Sequence, residues 1–369
     1  MMRQNNSCLR VGIVFVIISI LLTILLFFRC DKYVATDLLR AAVKVKADDF
    51  NHLLFAVRPA VLIVAYVLPI KPEVSLPLIS MVFYVASIFL AFYFTKSLYD
   101  NISAVLAAAL LAANFPVILN SSAPNADIPG LAAALLIQCL TLMLLRQKST
   151  NNWIFMGLLS GSLVLIRETV LMSVIAVCLL LIYKRMRRAF LSYSVAALLI
   201  IIAWQIYTSL MFHMNYLTQF FTGLSLSTKY SGVSYNPLKV MGYLLDGLSP
   251  VLIVAVIIGL VLEEQEERFK ILHIFGVPPL ILSIGWPAIY EPRIAIIALP
   301  GLIHVGGYGL RKILESLSNK PIYGTRNGLL VLFLILLIYT SGNFLLAYIN
   351  NGYMISPIWR FLLNLSYSS

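Results

Sequence analysis

The sequence has little charge and no stretch polar enough to form a soluble domain. Only 11% of its 369 residues are charged, whereas 61% are hydrophobic, and the mean hydropathy is +0.93. This composition excludes a soluble globular enzyme, and without a basic soluble domain it also excludes most nucleic-acid-binding proteins. The net charge of +12 instead suits contact with anionic lipids.

Several motifs that carry familiar chemistry are also missing. There is no Gly-rich phosphate loop, Walker motif, His-Glu-x-x-His or nucleophile elbow, so a soluble nucleotide substrate is not expected. The four cysteines fall on different segments without paired or metal-ligand spacing, which excludes a disulfide framework and a structural zinc site. They are Cys8, Cys30, Cys139 and Cys178. We expect no cofactor, and nothing in the sequence indicates a divalent metal.

Long apolar runs dominate the chain, and each run of roughly 20 residues predicts a transmembrane helix. The runs that predict single crossings are 11–28, 75–95, 102–119, 128–145, 190–212, 247–262, 271–286, 294–309 and 328–349. No small-residue cleavage site follows the first run, so we expect an uncleaved first helix.

Residues 153–183 require a different interpretation. One straight helix of this length would measure about 46 Å, which exceeds the hydrocarbon core of about 30 Å. Basic clusters flank the segment on both sides, and both are expected on the cytoplasmic face. The pattern therefore predicts two short helices that run out and back, with Arg167-Glu168 at the outer turn. A single tilted helix with a buried ion pair is the alternative.

These segments predict an all-α polytopic membrane protein of about eleven transmembrane helices, with a cytoplasmic N-terminus. We expect one integral membrane domain, 1–369, in the plasma membrane. It comprises the first helix 11–28, an outer loop 29–74, the remaining helices 75–349 and an outer tail 350–369.

The first outer loop contains two candidate interfacial helices. Residues Val34 to Lys46 alternate apolar and charged side chains in the manner of a helix lying in the interface plane. Residues 53–70 are apolar but interrupted by Arg58-Pro59, and we interpret them as interfacial or re-entrant.

Seven ionisable residues within or beside the apolar runs fall on the outer side under this topology. They are Asp31, Arg58, Asp127, Arg167, Glu168, Glu291 and Arg293. Taken singly, each has an ordinary explanation: Asp127 is placed to cap a helix, Arg58 to reach a lipid phosphate, and Arg167 to pair with Glu168. Their convergence matches the requirements of sugar transfer from a lipid phosphate. Arginines would neutralise the departing phosphate, and a carboxylate would accept the proton of the acceptor hydroxyl.

Short motifs in a fixed order carry a family resemblance. They are Asp31-Lys32-Tyr33, Arg58-Pro59, Asn114-Phe115-Pro116, Asp127-Ile128-Pro129-Gly130, the segments 157–161 and 166–169, and Tyr290-Glu291-Pro292-Arg293 with Pro300-Gly301. Over roughly residues 10–310 the chain resembles the GT-C superfamily of integral-membrane glycosyltransferases. It is closest in style to the protein O-mannosyltransferase and lipid A aminoarabinose transferase branch. The Trp-Trp-Asp motif of the oligosaccharyltransferase branch is absent.

This resemblance implies an inverting transferase that uses a polyprenyl-phosphate sugar and an acceptor protein, lipid or glycan on the outer face. Asp31 would be the general base, followed as candidates by Asp48, Asp49 and Asp127. Lys32 replaces the family's usual second acid, which weakens the case for a metal. The residues expected to bind substrate are Tyr33, Arg58, Arg167, Glu168, Tyr290, Glu291 and Arg293; among them, Arg58 and Arg293 would hold the lipid phosphate.

Two other classes remain open. A flippase or transporter of lipid-linked saccharides would place charges near the membrane midplane on broken helices. An O-antigen polymerase or ligase would share the outer site, but usually carries a larger outer loop with several arginines; 213–246 holds only Lys229 and Lys239 as cations.

Overall fold

The computed structural model describes residues 2–27, 37–50, 58–146, 151–213, 237–285 and 292–318, and the single residue 335. These residues form helices and turns without a strand, which confirms the predicted all-α class. The α-helices are α1 (Met2–Phe27), α2 (Asp37–Lys46), α3 (Pro59–Val67), α4 (Pro72–Leu98), α5 (Asn101–Ala113), α6 (Phe115–Ser121), α7 (Asp127–Leu145), α8 (Asn151–Val164), α9 (Leu171–Tyr183), α10 (Arg187–Phe212), α11 (Pro237–Leu248), α12 (Pro250–Val261), α13 (Glu266–Gly285) and α14 (Ala295–Ser318). Short 3₁₀ turns, Glu168–Val170 and Pro292–Ile294, precede α9 and α14.

In the part of the chain that the structure describes, four helices are long and apolar enough to cross a bilayer alone: α4, α7, α10 and α13. The total reaches six if two bent pairs, α5 with α6 and α11 with α12, each count as one span. The multi-pass character is thus supported, whereas the count of eleven stays a prediction. The predicted crossing 328–349 lies outside the described residues, apart from the single residue 335.

Two predicted straight crossings are bent, and the sequence contains the cause of each bend. Within 102–119, α5 and α6 meet at 62° because the Asn114 side chain accepts a hydrogen bond from Val117 N and starts a new helix. Within 247–262, α11 and α12 meet at 88°. There Ser249 adopts a positive φ of 69° and Pro250 opens α12. In both places a local cap outcompetes helix continuation.

The segment 153–183 runs out and back, as predicted. Gly157 and Gly161 bring α8 so close to α10 that an added Cβ would lie 2.4 Å from Tyr193 O and 2.5 Å from Ala197 O. The residue numbers rise together along the two helices, from Gly157 at Tyr193 to Gly161 at Ala197, so α8 and α10 are parallel. The turn 184–186 reverses the chain between α9 and α10, so α8 and α9 are antiparallel, and residues 165–170 form the turn between them.

The bundle consequently has two chemically different ends. The first, called the cluster end, contains the starts of α3, α7 and α14 and the turn 165–170. The second, called the basic end, contains the end of α14, the turn 184–186 and the ends of α4 and α7. Ion pairs of Lys184 with Glu267 and of Arg311 with Asp100 join neighbouring helices there. The basic end therefore carries the cationic loops that the sequence places in the cytoplasm.

A buried polar contact joins three helices in the half of the bundle nearer the basic end. The His304 ring on α14 lies 2.7 Å from the Thr95 hydroxyl on α4 and 3.2 Å from the Gln138 side chain on α7. All three residues are buried. Hydrogen bonds of this kind fix the relative position of helices where no water competes.

The first loop is described in part. In α2 the buried side chains recur at Leu38, Ala41, Ala42 and Val45, which agrees with the predicted amphipathic helix. The Lys46 ammonium donates to the carbonyl oxygens of Tyr66 and Leu68 at 2.7 Å each, tying α2 to α3. With nine residues, α3 is too short to span a membrane.

Candidate active site

A chain of four ionic side chains, three buried and one half-buried, lies at the cluster end. Arg58 donates from Nε and Nη2 to the two carboxylate oxygens of Glu168, at 2.8 and 2.5 Å. Arg167 Nη2 lies 2.7 Å from Asp127 Oδ1, and Arg167 Nε lies 4.0 Å from Glu168 Oε1. The side chains of Arg167, Glu168 and Asp127 are 6%, 6% and 4% exposed, and that of Arg58 is 19% exposed. We call these four residues the ion chain.

Three separate segments supply the ion chain, and local chemistry places each one. Arg58 precedes Pro59, which opens α3, and Ala60 N donates to Leu165 O at 3.3 Å. This contact brings the start of α3 to the α8–α9 turn. Arg167 is extended, with φ −155°, so its side chain and that of the following Glu168 diverge towards different partners.

A hydrogen-bonded asparagine pair supports Asp127. Asn125 Oδ1 accepts from Asp127 N at 3.0 Å, and Asn125 Nδ2 donates to Asn120 Oδ1 at 2.7 Å. The Ser80 hydroxyl lies 3.0 and 3.2 Å from the carbonyl oxygens of Ala123 and Asn125. Sequence analysis missed this supporting role of Asn120 and Asn125. The signal was present, because two asparagines just before a helix start favour side-chain to backbone hydrogen bonds.

A third arginine lies close to the ion chain. Arg293, on the 3₁₀ turn before α14, is half-buried and lies within electrostatic reach of Arg167. Arg58, Arg167 and Arg293 thus bring three guanidinium groups to the cluster end, beside the carboxylates of Asp127 and Glu168. The helix α11 packs against the turn that carries Arg293 and contributes a further buried carboxylate, Asp246. Guanidinium groups are suited to bind a phosphate.

A small cavity lies beside Asp127, between α7, α9, α13 and α14. Its volume is about 20 Å³, enough for a single water molecule. Apolar side chains from α7, α13 and α14 line most of it, together with Thr169 and Ser173. Asp127 Oδ2 is buried and makes no hydrogen bond with any residue that the structure describes. The cavity cannot hold a sugar, so a sugar substrate would have to approach the ion chain from elsewhere.

Gly130 provides the space in which Arg167 lies. A Cβ at Gly130 would come within 2.9 Å of Arg167 Cβ and 3.1 Å of Arg167 Cγ. These atoms belong to the rigid base of the arginine side chain rather than to its flexible tip. A glycine inside a helix, which ordinarily costs about 1 kcal/mol relative to alanine, is therefore needed here.

We expect Gly130→Ala to destabilise the protein by about 1–3 kcal/mol, because it overpacks the contact with Arg167. The midpoint of thermal unfolding in detergent measures this effect. Gly285→Ala is the matched control, since a Cβ there meets no atom of the described residues within 4 Å. It should leave the midpoint unchanged or raise it, and an equal loss in both variants would contradict the packing argument.

The other predicted site residues fall in different places. Asp31, Tyr33, Tyr290 and Glu291 lie outside the described residues. Asp48 is exposed and accepts a hydrogen bond from the Tyr66 hydroxyl at 2.9 Å. That hydrogen bond raises the pKa of Tyr66 above its ordinary value.

The described part of the chain contains no group of three His, Cys, Asp or Glu side chains arranged to hold a metal ion. Within it, Cys139 and Cys178 are free thiols. The ion chain itself consists of carboxylates already paired with arginines, a set that suits anion recognition better than metal binding.

Part of the chain is similar to a known family. Residues 59–212 match the family model of dolichyl-phosphate-mannose-protein mannosyltransferases. This confirms the resemblance predicted from the sequence. The matched range contains Asp127, Arg167 and Glu168 and begins one residue after Arg58. It supports a multi-pass membrane glycosyltransferase of the mannosyltransferase type. No curated protein matches the chain.

Proposed function

We propose that the protein transfers a sugar from a polyprenyl-phosphate donor to an acceptor hydroxyl, with inversion, at the cluster end of the bundle. The ion chain is the observation that carries this proposal. Buried charges at membrane depth are costly and are usually kept for a function. Here they occur together with a mannosyltransferase family match, at the end of the bundle where Arg293 adds a further positive charge.

The proposed setting is the plasma membrane, with about eleven crossings, the basic end in the cytoplasm and the cluster end outside. The cationic residues of the basic end support this orientation. In this arrangement α2 and α3 lie in the outer interface, where the charged face of α2 meets water and its buried stripe meets the bundle.

The proposed reaction is a single displacement at the anomeric carbon. The acceptor oxygen forms a bond to that carbon, while the bond from the carbon to the phosphate oxygen breaks. The polyprenyl phosphate leaves with the electron pair, and the acceptor proton passes to a carboxylate, for which Asp31 is the first candidate. Arg58 and Arg293 stabilise the charge that grows on the phosphate.

The contacts divide the remaining roles. Glu168 fixes the direction of the Arg58 guanidinium, and Asp127 does the same for Arg167. Asp127 Oδ1 lies 2.7 Å from Arg167 Nη2, so this carboxylate already holds a guanidinium in place. We therefore assign it a positioning role ahead of a catalytic one. Tyr33, Tyr290 and Glu291 are proposed to contact the donor or acceptor, and the proposed reaction needs no cofactor.

Transfer of radiolabelled sugar from polyprenyl-phosphate donors in isolated membranes tests this function. Wild-type protein should label an acceptor, and Glu168→Ala should lower the rate by about 100-fold, because it releases Arg58 from its productive direction. Glu267→Ala is the matched control, since Glu267 pairs with Lys184 at the basic end and is exposed. It should retain the wild-type rate.

Two outcomes would contradict the proposal. Labelled lipid that changes leaflet without labelling an acceptor would identify a flippase. His304, with its buried polar contacts to Thr95 and Gln138, would then be the first residue to mutate. Joining of whole lipid-linked glycans would identify a polymerase or ligase.

A further inference from the structure

A second cavity lies at the basic end, far from the ion chain. It has a volume of about 190 Å³ and is bounded by the end of α7 and the start of α8. One wall is lined by Leu140, Met143 and Leu144, and the other by Phe155, Met156 and Leu159, with the polar Asn152 at the start of α8. We call this cavity the α7–α8 groove.

The groove opens at the surface of the bundle. Phe155 and Met143 on its rim are 70% and 43% exposed, whereas Met156 at its floor is 1% exposed. Leu144 is followed by Leu145, the last residue of α7, so the groove lies close to one edge of the apolar zone. In a bilayer such an opening faces the hydrocarbon chains of the leaflet at the basic end.

Positive charge lies beside the groove at the depth of lipid head groups. Arg146 directly follows α7, is exposed, and its Nη2 donates to Ser97 O at 3.3 Å. This hydrogen bond holds the guanidinium at the end of α4, where Lys96 is also exposed and its ammonium lies 6.0 Å from the Phe92 ring centroid. Two acids lie near this end: Asp100 caps α5 and pairs with Arg311, and Glu263 lies against Tyr99 together with Arg268. Because each acid has a basic neighbour of its own, Lys96 and Arg146 leave the local charge positive.

We propose that the α7–α8 groove binds one acyl chain of an anionic phospholipid of the leaflet at the basic end, with the lipid phosphate at Arg146. The apolar walls match an acyl chain, and the two cations match a head group with net negative charge. Each cation near the membrane surface should favour an anionic over a zwitterionic head group by about fivefold. This site is separate from the proposed donor site and does not depend on its chemistry.

Native mass spectrometry of the purified protein tests the proposal, with dioleoyl phosphatidylglycerol and dioleoyl phosphatidylcholine as probes. Wild-type protein should retain phosphatidylglycerol with about 25-fold preference, since the two cations contribute about fivefold each. Arg146→Gln should lower this preference to about fivefold, the contribution of Lys96. Leu144→Trp should lose retention of both lipids, because the indole fills the groove.

Leu198→Trp is the matched control, because Leu198 is a 54% exposed apolar residue of α10 outside the groove. It should bind both lipids as wild type does. If Leu144→Trp does not fold, Met143→Trp fills the groove from its rim. Equal retention of the two lipids by wild type, or unchanged phosphatidylglycerol binding after the groove is filled, would overturn the proposal. Displacement of phosphatidylglycerol by an equal concentration of polyprenyl phosphate would also overturn it, by assigning the groove to an isoprenoid tail.

Discussion

Replacing Arg167 by Met should lower the free energy of unfolding by about 3–5 kcal/mol, because Asp127 is left as an uncompensated buried charge. Arg167 and Asp127 are 2.7 Å apart, and their side chains are 6% and 4% exposed. Arg311→Met is the matched control, since Arg311 pairs with Asp100 at the basic end, where both side chains are 32% exposed. It should cost about 1 kcal/mol or less. Thermal unfolding in one detergent measures both variants.

The double variant Arg167→Met/Asp127→Leu separates stability from function. An apolar pair avoids the unpaired charge, so the double variant should recover most of the stability lost by Arg167→Met. Sugar transfer should not recover, because the proposed site needs Arg167 in place beside Glu168. Recovery of both properties would show that this ion pair serves only the fold. If the double variant does not regain stability, the loss in Arg167→Met does not come from the unpaired charge of Asp127 alone.

The sequence predicts which ionisable residues share one end of the bundle, because hydropathy and loop charge determine where each apolar run ends. Asp127, Arg167 and Glu168 meet there as expected. It does not predict their partners. Neighbouring Arg167 and Glu168 could have paired with each other, yet their closest contacts are with Asp127 and Arg58. Partner choice depends on how three distant segments pack, and no local pattern encodes that packing.

Mean hydropathy also does not reveal the bends between α5 and α6 and between α11 and α12. Residues 102–119 and 247–262 are apolar except for Ser103, Asn114 and Ser249, so an average over about 20 residues gives one straight crossing for each. The signals that break them are short: Asn114 with Pro116, and Ser249 with Pro250. Such cap residues decide the local backbone without changing the mean hydropathy. The cap at Asn114 matters for the site, because α6 carries the chain towards Asn120 and Asn125, which support Asp127.

The largest expected loss of activity comes from Asp31→Asn, which should lower the transfer rate by about 10²–10⁴-fold if Asp31 is the general base. An amide cannot accept the acceptor proton but keeps nearly the same shape, so unfolding should be unchanged. Asp48→Asn and Asp49→Asn, in the same loop, are the matched controls and should transfer at the wild-type rate. Transfer assays across a range of pH, on membranes with equal amounts of each variant, provide the measurement.

The pH profile distinguishes a base from a positioning residue. A general base must be deprotonated, so wild-type transfer should fall as the pH drops towards the carboxyl pKa, ordinarily about 4 for aspartate. The residual activity of Asp31→Asn should lack this fall in rate at low pH, which we call the acidic limb of the profile. Asp127→Asn should instead lower both stability and rate and keep the limb, because its carboxylate is proposed to hold Arg167 rather than to accept the proton. If Asp31→Asn keeps the wild-type rate and Asp127→Asn removes the acidic limb, the base is Asp127, and its buried Oδ2 becomes the proton acceptor.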